Sequence, residues 1–108
     1  MRPPIHPGEI LREELDELGV SAAKASRSLH VPSQRISQIM TGKRAITADT
    51  AIRLGLWQGT EPDIWMNLQK SYELRLAELE TGEKIRRTVI PIYAISEDDS
   101  EQPGRASA

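Results

Sequence analysis

The sequence predicts an all-α domain of five short helices followed by one short C-terminal β-strand, and three observations carry that prediction. Apolar residues recur at spacings of three and four as far as Leu79, the period of a helix face. Proline, serine, threonine and glycine fall between those runs, where helices start and stop. Beyond Gly82 the composition turns to β-branched residues without a helical period.

Each element has its own signal. Pro7 suits a first helical turn, where its missing N–H would be unpaired in any case, and Glu9 lies at the positive end of the dipole. Leu11, Leu15 and Leu18 form one stripe, and Gly19 stops the helix. Ser21 caps a second helix running to about Leu29. His30 takes the closing position usually held by glycine, because histidine tolerates positive φ better than most residues. Pro32 or Ser33 opens a third helix with Ile36, Ile39 and Met40 inward, and Gly42 ends it. Thr47 caps a fourth that carries Ala51 and Leu54 inward and Asp49 in its first turn; Gly59 closes it. Thr60 or Glu61 caps a fifth, which holds Trp65, Leu68, Tyr72, Leu76 and Leu79 and ends at Gly82.

Residues 1–82 therefore read as the folded domain, 83–95 as a strand that makes a contact, and 96–108 as a disordered acidic tail. The strand, Thr88 to Ile95, is apolar on both faces and has no partner within a helical domain, so it is expected to pair between chains. Pro91 confines it to a sheet edge. Val89, Ile90 and Ile92 are its candidate dimer contacts, with Trp65 and Tyr72 of the fifth helix as core or further dimer contacts; a surface for a different protein is the alternative for the strand.

Composition narrows the function. The chain has 108 residues and no cysteine, which removes disulfides and thiol chemistry and suits a reducing compartment. No apolar run is long enough to span a bilayer and no signal-peptide pattern is present, so a cytoplasmic protein is expected. His6 and His30 lack carboxylates at ligand spacing, and nothing pairs a nucleophile with a base. No metal, cofactor or enzymatic activity is expected. The net charge of −2 hides an uneven distribution. Lys24, Arg27, Arg35, Lys43, Arg44 and Arg53 face a single Asp49 between residues 22 and 58. Glu9, Glu13, Glu14, Asp16 and Glu17 precede them. A basic centre beside an acidic helix suggests two surfaces, one of them for a polyanion.

Residues 21–44 carry the sharpest signal. Two short helices are joined by a tight turn at His30 and Val31, and the second is polar on one side. Ser33, Gln34, Ser37 and Gln38 supply the hydroxyls and amides that can read base edges in a major groove. Arg35, Thr41, Lys43 and Arg44, with Ser21 and Lys24, are placed to hold phosphates.

The pattern from Ser21 to Leu54 resembles the lambda-repressor-like (Cro/repressor-type, XRE) helix-turn-helix family. The stretches His6 to Glu14, Thr41 to Thr47 and Trp65 to Gln69 resemble the HigA-type antitoxins in particular. That resemblance implies a homodimer that binds double-stranded operator DNA, represses its own operon and neutralises a small HigB-like ribonuclease toxin. A stand-alone repressor without a toxin is the alternative, and a protein-interaction adaptor on the same fold is a third reading. The chain departs from the family at Ala22, Lys24 and Pro32, where a glutamine, an acid and a Ser or Thr cap are usual.

Overall fold

The computed structural model describes residues 3–94. The elements are helices α1 (Pro7–Leu18), α2 (Ala22–Leu29), α3 (Ser33–Met40), α4 (Ala48–Gln58) and α5 (Asp63–Thr88), then a 3-10 turn at Ile92–Ala94. They divide into two compact units, Met1–Ala77 and Glu78–Ala108.

In the first unit, local chemistry sets the helix ends. His6 caps α1: its Nδ1 accepts the Gly8 N–H at 2.9 Å, while the Glu9 carboxylate accepts the His6 N–H at 3.2 Å. Ser21 caps α2 by accepting the Lys24 N–H, and Thr47 caps α4. Gly19, His30 and Gly59 close α1, α2 and α4 in the left-handed conformation, with His30 at φ 57°. Pro32 gives α3 no side-chain cap, yet the helix still begins at Ser33. The Pro32 carbonyl accepts the Arg35 N–H at 3.0 Å, a tight three-residue bond of the kind that often starts a helix.

Helix faces then build one core. Leu11 and Leu15 of α1, Ala25 and Leu29 of α2, Ile36 and Ile39 of α3, and Ala51 and Leu54 of α4 are all buried. Ile46 joins them from the α3–α4 loop, and Trp65 from α5. Trp57 packs half-buried against this cluster, as do Met40 and Leu68. Of the two roles the sequence left open for Trp65, the fold shows the core one: at 1 % exposure it is buried within its own chain. Its indole N–H donates to Gln58 Oε1 at 3.0 Å, and Gln58 donates in turn to Glu14 at 2.6 Å, tying α5, α4 and α1 together.

The second unit overturns the predicted strand. Helix α5 continues through Gly82 to Thr88, and among the described residues there is no strand. One interior glycine costs a helix only about 1 kcal/mol relative to alanine, and the flanking Glu, Lys and Arg are good helix formers. Gly82 also leaves room for Glu78 and Arg86, two helical turns apart, to pair directly across it. Arg86 and Arg87 complement the negative end of the dipole in the last turn. Pro91 sets the stop, because the residue before a proline avoids helical backbone. Val89, Ile90 and Ile92, expected on a strand, are therefore exposed around the helix end and the 3-10 turn. Ile95 and the tail 96–108 lie outside the described residues.

Candidate nucleic-acid interface

Helices α2 and α3 form the motif. Arg27 and Ser26 carbonyls accept the His30 N–H, and the Ser26 carbonyl also accepts the Val31 N–H at 3.1 Å, so α2 closes in a tight left-handed turn. Ser26, buried, donates its hydroxyl to the Ser33 carbonyl at 3.3 Å and fastens the end of α2 to the start of α3. Ile36 and Ile39 anchor α3 in the core, which leaves Ser33, Gln34 and Ser37 on the opposite, exposed side. Gln38 is half-buried at the edge of that face.

Hydrogen bonding already decides what several of these groups can do. Ser37 donates to the Gln34 carbonyl at 3.0 Å, so its oxygen faces outward as an acceptor. Thr41 donates to the Ser37 and Gln38 carbonyls, at 3.0 and 3.2 Å. Its hydroxyl proton thus closes the end of α3. Gln38 Oε1 accepts from Arg44 Nε at 3.0 Å, which leaves the amide NH2 as its outward donor and draws the Arg44 guanidinium onto the α3 face. Gln34 is exposed, and among the described residues no such bond fixes its amide. Lys43 and Arg44 are exposed in the loop, whose course is set by Gly42 at φ 77° and the Lys43 N–H to Gln38 carbonyl bond at 2.8 Å. Ser21 uses its oxygen as the α2 cap, so its O–H can still donate; Lys24 is exposed one turn further on.

Arg35 is held differently from its neighbours. Its Nη1 lies 3.4 Å from Asp49 Oδ1, on α4. Arg53 Nε reaches the same oxygen at 2.7 Å, and Arg53 Nη1 donates to the Leu29 and His30 carbonyls at 2.9 and 3.4 Å. The Arg53 hydrogen bond is the main cause holding the Asp49 carboxyl below its ordinary pKa, with both arginine charges adding to it. These groups, with His30, Arg44 and Thr47, line a polar cleft of about 250 Å³.

Comparison with known proteins decides the family. A helix-turn-helix family model matches residues 11–55, spanning α1 to α4. Virulence-associated protein I of Dichelobacter nodosus is 49% identical over 77 residues, covering 70% of this chain and 71% of that protein. An addiction module antidote protein of the HigA family from Coxiella burnetii superposes with a TM-score of 0.82 at 46% identity, covering 83% of this chain and 99% of that one. The chain belongs to the HigA-type family of helix-turn-helix proteins. Pseudomonas aeruginosa antitoxin HigA, whose structure was solved with the higBA promoter, gives a TM-score of 0.80 at 43% identity, covering 82% of this chain and 98% of that one.

Sequence reasoning passed over three groups that organise this HigA-type surface. Asp49 and Arg53 have a readable acid–base spacing of four, but their link to Arg35 and to the α2 carbonyls is tertiary. Gln69, buried within α5, accepts the Ile46 N–H at 2.9 Å and donates to Glu73 at 2.7 Å. It holds the loop that presents Lys43 and Arg44, and only its place in the Trp65 to Gln69 stretch hinted at importance. His6 packs edge-on against Tyr72, with ring centroids 4.8 Å apart, so part of the Tyr72 ring faces its own chain. No group of acidic, histidine or cysteine side chains among the described residues is arranged to hold a metal ion. Nor is any described helix long and apolar enough to cross a membrane.

Proposed function

We propose that the chain is a DNA-binding antitoxin that binds its operator as a homodimer, represses its own operon and neutralises a HigB-like ribonuclease. The observation that carries this reading is the exposed polar face of α3, flanked by Lys43, Arg44 and Lys24. The likeness to an antitoxin solved with its promoter supports it. Gln34 reads a base pair with both amide groups, Gln38 donates through its amide, and Ser33 and Ser37 contribute short polar contacts. Ser21, Lys24, Lys43 and Arg44 hold phosphates and set register.

One recognition helix makes few contacts, so two copies about 34 Å apart on an inverted repeat supply the affinity. Val89, Ile90 and Ile92 are 62, 48 and 84% exposed, and we assign them, with the outer edge of Tyr72, to contact with the second copy. The acidic side of α1, with Glu13, Glu14, Asp16 and Glu17, is the surface of choice for a basic toxin.

The test is titration of a duplex from the chain's own promoter region, and of a random duplex, over a series of salt concentrations. The expected result is a two-chains-per-site complex whose log affinity falls linearly with log salt, with a preference for the promoter. A flat salt response, or equal affinity for both duplexes, refutes operator binding. Co-expression with the product of a neighbouring small basic reading frame separates an antitoxin from a stand-alone repressor. Only an antitoxin relieves that product's toxicity and co-purifies with it.

A further inference from the structure

Asp49 presents a puzzle on a surface meant for a polyanion: it is a carboxylate, 59% exposed, in the middle of the basic patch. Left alone it would repel phosphates. Its geometry gives it another task. One of its oxygens, Oδ1, takes Arg35 of α3 at 3.4 Å and Arg53 of α4 at 2.7 Å. Arg53 carries the connection on to the Leu29 and His30 carbonyls, which are the last acceptors of α2 and have no partners within that helix. A single carboxylate therefore joins the end of α2, the first turn of α3 and the first turn of α4. Another tie across the turn is the Ser26 hydroxyl to the Ser33 carbonyl, at 3.3 Å.

Resting on the operator-binding reading above, we propose that Asp49 is a positioning residue for sequence recognition, fixing the recognition helix α3 against α2 through Arg35 and Arg53 and so setting where Gln34 and Gln38 meet the bases. The same carboxylate occupies the two arginines when DNA is absent and holds down their attraction for phosphates of any sequence. Asp49 thus favours discrimination over raw affinity. Bases are read through short, directional hydrogen bonds that fail when α3 is displaced, whereas phosphates are held by charges that tolerate displacement.

The charges of the partners make the test sharp. Asp49→Asn removes a negative charge from the basic patch, and Arg53→Gln removes a positive one. If the triad acts only through net charge, each variant shifts affinity for promoter and random duplexes together, in opposite directions for the two variants, and the ratio stays put. If it positions α3, both variants lower the promoter-to-random ratio, by about threefold to tenfold, despite their opposite charges. Asp49→Asn also binds random DNA more tightly, with a salt slope steeper by about one. Asp49→Glu, which keeps a carboxylate within reach of both arginines, recovers most of the ratio. Each variant is run beside wild type, with circular dichroism confirming helix content. An unchanged ratio in a folded Asp49→Asn chain overturns the positioning role while leaving operator binding intact. A wild-type chain that does not prefer its promoter overturns the operator-binding reading itself, and this inference with it.

Discussion

Replacing Gly8 with alanine puts a methyl group where helix α3 already lies. A Cβ built on Gly8 overlaps the Ile39 carbonyl oxygen and stands 2.6 Å from the Ile39 carbonyl carbon, where ordinary contact begins at 3.4 Å. Both obstacles are backbone, so no rotamer change relieves them. The start of α1 has to back away from the end of α3 by about 1.5 Å, against a close-packed core. That movement pulls on the Gly8 N–H to His6 bond and on the Leu11, Ile36 and Ile39 packing. Overpacking usually costs about 1–3 kcal/mol, and rigid neighbours place this substitution at or beyond the upper end, about 3 kcal/mol. At roughly 4–8 °C per kcal/mol for a domain of this size, Gly8→Ala should melt about 12–24 °C below wild type. Thermal unfolding followed by far-ultraviolet circular dichroism reads this directly. Gly82→Ala is the control: its added methyl meets only the ends of the Glu78 and Arg86 side chains, which can swing aside. It should melt at or above the wild-type temperature, since alanine favours a helix interior by up to about 1 kcal/mol. A Gly8→Ala melt within about 3 °C of wild type would falsify the close α1–α3 approach.

Three further outcomes follow from the same structure. Burial lowers the His6 pKa, with the nearby Glu9 charge partly opposing it, so the native state favours the neutral ring that caps α1. The unfolded chain then binds the extra proton first, and stability, full above about pH 6.5, declines as pH falls through the lower native value. Melts between about pH 7.5 and 5 should show that decline, and His6→Asn, a cap that does not titrate in this range, should flatten it. Asp49, whose pKa is lowered, loses its contribution only below its ordinary carboxylate range and leaves this window undisturbed. Gln69→Leu strands the buried Ile46 N–H and should cost about 1–3 kcal/mol, while weakening promoter and random DNA alike because it loosens the Lys43 and Arg44 loop. Preserved stability in that variant would show the bond to be dispensable. Gln34→Ala should lose about 1–3 kcal/mol on the promoter duplex alone, whereas Lys43→Ala should weaken every duplex and reduce the salt slope by about one. Matching losses from both on both duplexes would contradict the division between base and phosphate contacts.

The helices up to α4 are legible in the sequence because each rests on local chemistry. Pro7, Ser21, Thr47, Gly19 and Gly59 act through bonds and backbone angles within a few residues, and Leu11, Ile36, Ile39 and Leu54 announce their faces by period alone. His30 closing α2 at positive φ is readable for the same reason. The polar face of α3 follows from its apolar one, so the order of residues alone picks out Ser33, Gln34 and Ser37.

Tertiary structure decided what depends on distant partners. Trp65 lies on an apolar stripe that suits a core or an interface equally, and only the packing of α5 against α1 and α4 turned it inward. The end of α5 escapes a local reading because Gly82 costs a helix interior only about a kcal/mol, which the helix-forming Glu, Lys and Arg residues around it offset, and the stop comes only near Pro91. Arg35 looks like a free phosphate ligand in sequence, yet Asp49 lies 14 positions away and meets it only when α3 and α4 are brought together. Local propensity and period act over one or two helical turns, whereas an ion pair or a buried indole takes its partner from wherever the fold places one.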